Sequence, residues 1–243
     1  MPISVSQETV YLTVITRKRQ MHHLSKILLT IVIAALPGAL LANEVEAKFI
    51  KAGLIDINAI DQSIQVDLVN SDQDKNFFEE NFYNGLNRAY LRKEIAAKLS
   101  KAQSILKNEH PAYSLQILDA ARPRSVSRAM YEKMKGTRFE KYVANPTKGS
   151  MHNYGIAVDI TIVNKYGKKL DMGPSPFYSS HTVIYWNYIL KKMGFDLSAE
   201  QKKNRNLLKR IMLKAGFHPL AHEWWHFNGM KKTDARNTYS IIE

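Results

Sequence analysis

Apolar positions in this chain change period several times, and each change marks an element. Between Leu86 and Lys107, the residues Tyr90, Leu91, Ile95, Leu99, Ala102, Ile105 and Leu106 recur at helical spacing, which predicts an amphipathic helix. Tyr113, Leu115 and Ile117 then alternate as a strand does. Asp119-Ala-Ala-Arg122-Pro123 ends that strand, because proline lacks a donor and drives its predecessor out of the helical region. A helix is expected from about Ser125 to Lys135. The clearest strand is Gly155–Val163. Ile156, Val158, Ile160 and Ile162 fall on one of its faces, and Ala157, Asp159 and Thr161 on the other. A loop rich in Gly, Pro and Ser follows over Asp171–Ser180. Helices are then expected over about Thr182–Met193 and Ser198–Ala215, and a short aromatic strand around Glu223–Asn228. Helices and strands mix without a βαβ rhythm. The expected class is therefore α+β, an antiparallel sheet with flanking helices.

The first 42 residues have another character. Arg17, Lys18, Arg19 and Lys26 precede an apolar run from Ile27 to Ala42, interrupted by Thr30 and by Pro37-Gly38. That is the pattern of an export signal, with cleavage after Ala42 or Ala47 and a single domain over 48–243. The run is too short and too broken for a good membrane span, so no stable membrane insertion is expected after processing. The expected location is the periplasm or cell envelope.

Composition narrows the chemistry. With 45% hydrophobic and 23% charged residues, a wholly disordered chain is excluded. There is no cysteine. This removes disulfide scaffolds, thiolate zinc sites, iron–sulfur clusters and cysteine nucleophiles together, so any metal must be held by His, Asp or Glu. The net charge of +13 suits an anionic setting. Lys and Arg are nevertheless scattered, without the aromatic interleaving of a single-strand binder or a groove-reading helix. Nucleic acid is not the expected partner.

Two clusters carry chemistry. In Ser150-Met-His152-Asn-Tyr-Gly155-Ile-Ala157-Val-Asp159, an acid sits inside a β-branched strand, where it is costly unless partnered. His152 is the obvious companion. Seven extended residues would separate the two by about 23 Å, so the chain must turn back between them, and Asn153-Tyr154-Gly155 has turn residues. The other cluster, His222-Glu223-Trp224-Trp225-His226, reads literally as H-E-x-x-H, a helical zinc motif. Pro219 and Gly229 bound it too tightly for a typical helix, and its centre is aromatic, which favours a strand. On a strand Trp225 and Phe227 share one face, His226 takes the other, and Glu223 lies at the entrance.

The pattern S-x-H-x-x-G-x-A-x-D followed by E-x-x-H resembles the zinc D,D-peptidases of the M15 metallopeptidase family. Leu118-Asp119-Ala-Ala-Arg122-Pro123, Met172-Gly173 with Pro176-Phe177, Asn204-Arg205 and Glu223-Trp-Trp-His226 follow the order seen in vancomycin-resistance type D-alanyl-D-alanine dipeptidases. The segment from Asn81-Phe82 to Leu99 is similar to that family's N-terminal part. The resemblance implies a D,D-peptidase (Hedgehog/M15-like) fold and one Zn2+ held by His152, Asp159 and His226. It also implies Glu223 as general base, Arg122 on the scissile carbonyl, Ser150 orienting substrate, and His222 outside the ligand set. The implied partner is a small peptide, D-Ala-D-Ala, with longer peptidoglycan stem peptides as the alternative. Two departures bear on substrate. Ala120-Ala121 replaces the family's Gly-Tyr, and Tyr178 follows Phe177 where the family has the Asp that binds the dipeptide's ammonium. Tyr178 and Asp171 are the remaining substrate-side candidates.

Overall fold

In chain order the elements are helix α1 (44–51), β1 (Ile55–Asp56), β2 (Gln65–Val66), β3 (Tyr90–Leu91), α2 (Lys93–Glu109), β4 (Ser114–Asp119), α3 (Arg124–Met134), β5 (Ala157–Val163), α4 (Ala199–Lys214), β6 (His218–Leu220), β7 (Glu223–Asn228) and α5 (Lys232–Thr238). This computed structural model describes residues 44–137, 140, 143–173, 196–221 and 223–243. The expected leader over 1–42, the expected helix over Thr182–Met193, Tyr178 and His222 lie outside the described residues. None of the described helices is long and apolar enough to cross a membrane.

A five-stranded sheet in the order β2-β4-β5-β7-β6 organises the domain. Strand β5 is central, and all seven of its residues are buried, as its run of Val, Ile and Thr suits. Its pairings with β4 and β7 are antiparallel, and so is β7 with β6. Strand β2, however, lies parallel to β4, so the sheet is mixed rather than antiparallel throughout. Parallel neighbours need a long crossover, and α2 lies in the connection between them. The two-residue β2 is too short to show a period in sequence.

Helix α2 begins at Lys93 rather than Leu86. Tyr90 and Leu91, which also fit the helical period, instead pair with Asp56 and Ile55. A backbone ladder from a distant segment decides a conformation that side-chain spacing leaves ambiguous. The remaining apolar positions behave as the period requires: Ile95, Ala96, Leu99, Ala102 and Leu106 are buried against the sheet with Leu115, Ile117, Ile160 and Ile162. Helix α4 matches its expected span and opens on a capping box, in which Ser198 accepts from the Gln201 backbone and Gln201 reciprocates. Strand β7 occupies the expected Glu223–Asn228.

Candidate metal centre

The reversal demanded by His152 and Asp159 is a single turn of 3-10 helix, Met151–Tyr154. The Ser150 side chain caps it by accepting from the His152 N–H, while the Ser150 N–H donates to Asn153 Oδ1 at 2.7 Å. Gly155 closes the turn at φ +71°, a left-handed conformation that favours glycine, and a Cβ there would meet Leu54 Cδ2 at 2.7 Å.

Strand register then gathers the polar residues. In antiparallel pairs, residues directly opposite share a face. Asp159 is opposite His226 on β7 and opposite Asp119 on β4, making one row across three strands. Asp119 reaches that row only through an irregularity. Ile117 pairs with Ile160, yet Asp119 pairs with Asp159, so β4 carries one extra residue, Leu118. Without this bulge Asp119 would share the core face with Ile117. A similar shift operates at the edge, where Pro219 pairs with Phe227 but Leu220 with Glu223. Trp225, expected on the face of Phe227, instead lines the cleft with Glu223 and His226, while Phe227 and Trp224 pack on the core. Glu223 Oε2 lies 3.7 Å from His226 Nδ1.

His152 Nε2, His226 Nδ1 and Asp159 Oδ1 converge. The separations are 3.1 Å between the two nitrogens, 3.3 Å from His152 to Asp159 and 3.0 Å from His226 to Asp159. All three residues are buried. A tetrahedral zinc with bonds of about 2.0–2.1 Å places neighbouring donors about 3.3 Å apart, so these edges match one ion. The outward nitrogens are also committed. His152 Nδ1 lies 2.7 Å from the Ala120 carbonyl and His226 Nε2 lies 3.0 Å from Asn228 Oδ1. Both outward nitrogens therefore donate, which leaves each inward nitrogen with a lone pair and orients the ring as metal-ligating histidines are oriented. Two lone pairs and a carboxylate facing each other within hydrogen-bond distance need a positive charge between them.

Electrostatics agree. Burial opposes ionisation of Asp159, yet the imidazoles of His152 and His226 hold its carboxyl well below the usual range. Burial likewise disfavours a charged His226, but Asp159 raises its pKa. Both directions describe a cluster that stabilises positive charge at its centre. Burial raises the Glu223 carboxyl pKa above its ordinary value, against the opposing pull of His226 and with the Asp159 charge adding to it.

Arg122 and Ser150 line the same cleft, of about 180 Å3, as these residues. Arg122 does not stand alone. Its Nε donates to Asp119 Oδ2 at 3.0 Å, and its Nη2 donates to the same oxygen. Asp119 is fully buried and also accepts from Tyr83 Oη, Asn70 Nδ2 and the Ala120 N–H. The signal for Asp119 in the sequence is its i,i+3 spacing to Arg122 before Pro123. Asp119→Ala is expected to destabilise the fold by about 3–5 kcal/mol, because it strands a partly buried guanidinium. Denaturant unfolding of variant and wild type measures this.

Asp171 lies elsewhere. It is exposed, and its carboxylate accepts from Gln201 Nε2 at 3.0 and 3.2 Å and from the Gly173 N–H at 2.8 Å. It is not among the described residues that line the cleft. An Asp so engaged is not brought to the triad.

A family model described as D-Ala-D-Ala dipeptidase, peptidase M15, matches residues 50–242. Among curated relatives, a D-alanyl-D-alanine dipeptidase of Escherichia coli (strain K12) is 31% identical over 140 residues, covering 58% of this chain and 66% of that protein. A D-alanyl-D-alanine dipeptidase of Synechocystis sp. (strain ATCC 27184 / PCC 6803 / Kazusa) is 25% identical, covering 60% of this chain and 71% of the relative. Aligned lengths thus reach about two thirds of these relatives. A solved LD-carboxypeptidase, LdcB, described in terms of peptidoglycan recognition, overlaps 61% of this chain and 63% of its own, at a TM-score of 0.36 and 21% identity. Because the family match extends over nearly all of the described fold, the chain belongs to the peptidase M15 (D-Ala-D-Ala dipeptidase) family.

Proposed function

We propose that the protein is a zinc dipeptidase that hydrolyses D-alanyl-D-alanine to two D-alanines in the cell envelope. The observation that carries this reading is the buried convergence of His152, Asp159 and His226 with Glu223 beside it. Those three residues would hold the ion, whose Lewis acidity polarises a carbonyl and makes solvent nucleophilic near neutral pH. Glu223 takes the proton of the attacking water and delivers it to the leaving amine. Its raised pKa suits this exchange, since a carboxylate that holds a proton less reluctantly both accepts and returns it. Arg122, held by Asp119 at the cleft wall, hydrogen-bonds the scissile carbonyl oxygen as negative charge develops there. Ser150 orients the peptide from the turn that it caps.

Longer stem peptides are the second reading. It draws support from the engagement of Asp171 with Gln201, which leaves that carboxylate unavailable to a dipeptide's ammonium. Purified protein with zinc is expected to release D-alanine from D-Ala-D-Ala. Turnover of a stem pentapeptide but not of the dipeptide, followed by amino-acid analysis, would replace the first reading with the second.

A further inference from the structure

Helix α5 contributes two cations to the cleft, and the mechanism uses neither. Lys232 and Arg236 are one turn apart on that helix and both line the same cleft as His152, Asp159, Glu223 and His226. The helix is seated by Ala235, which is fully buried, and by Tyr239 just beyond it, which packs on the core, and it lies against the 3-10 turn that presents His152. Lys232 and Arg236 are themselves exposed, and among the described residues neither has an ion-pair partner. Like charges at i,i+4 repel by a few tenths of a kcal/mol, and an anion between them would relieve that. The third cation of the cleft, Arg122, is already committed to Asp119. Among the described lining residues the only carboxylates are Asp159 and Glu223, so the described rim offers charge for a carboxylate and none for an ammonium.

We propose that Lys232 and Arg236 seat the C-terminal carboxylate of the peptide substrate, which makes the site selective for a free peptide terminus. This rests on the peptidase reading above and refines it. A guanidinium and an ammonium on one helix face converge on one carboxylate, and charge-assisted hydrogen bonds of this kind are stronger than neutral ones.

The test compares D-Ala-D-Ala with its C-terminal amide on zinc-loaded full-length protein. Wild type is expected to prefer the acid in kcat/KM. In Lys232→Ala/Arg236→Ala that preference is expected to collapse by roughly 10–100-fold, mostly through KM. An undiminished preference overturns the proposal, and so does an equal loss on acid and amide. A binding arm separates this claim from the catalytic one. Calorimetric titration of zinc-loaded Glu223→Gln protein is expected to show tighter binding of acid than amide, and the advantage disappears when Lys232 and Arg236 are also replaced. If wild type cleaves neither peptide, the peptidase reading fails while the binding difference still decides the carboxylate seat. Equal binding of the two peptides, or binding of neither, overturns it. Unchanged circular dichroism and zinc content exclude misfolding as the cause of any loss.

Discussion

Glu223→Gln is expected to keep the metal and lose roughly 10²–10⁴-fold in kcat on D-Ala-D-Ala, the usual contribution of a positioned general base. Gln is nearly isosteric with Glu, so the strand and the half-buried position survive, but the amide cannot accept a proton from water. The expectation depends on geometry that separates this residue from the ligand set. Its Oε2 lies 3.7 Å from His226 Nδ1, whereas the three converging donors lie within 3.3 Å of one another. On the proposed reading, Glu223 would stand beside the ion and outside the cage formed by His152, Asp159 and His226. Zinc content by elemental analysis and steady-state kinetics measure the two halves separately. A variant that loses zinc would make Glu223 a ligand. One that keeps both zinc and wild-type kcat would remove it from the chemistry.

The second large effect is expected from Asp159→Ala. Asp159 is the only anionic donor of the three, and its carboxylate touches both imidazoles. Its loss should reduce bound zinc from one per chain to none and hydrolysis to background. Stability reports the same event without any turnover. An ion that binds only the folded chain, present at a hundred times its Kd, stabilises it by about 2.7 kcal/mol. Wild type should therefore melt higher with added zinc and Asp159→Ala should not. His222→Ala, in contrast, is expected to keep both zinc and the thermal response. If His222→Ala abolishes binding while Asp159→Ala spares it, the pair 222/226 is the real ligand set.

Much of this was legible before any coordinates. The alternation of Val158, Ile160 and Ile162 places Asp159 on the opposite face from the core, because a strand has a period of two. Pro219 and Gly229 confine the aromatic Glu223–Asn228 segment to a length that suits a strand and not a helix, and it is a strand. Gly155 marks the turn that folds His152 back, and its φ of +71° is a conformation that side chains other than hydrogen strain to reach.

Other features depended on pairing. Whether Asp119 faces the site or the core turns on one extra residue at Leu118, and Trp225 joins the cleft although it alternates in phase with the core residue Phe227. The parallel placement of β2, the true start of α2 at Lys93 and the arrival of Lys232 and Arg236 at the cleft wall are of the same kind. Periodicity is written in each segment separately, since it follows from backbone geometry and from which side chains avoid water. Register between strands is a joint property of two segments far apart in the chain, and a one-residue offset reverses every side chain's face without altering either segment's own pattern.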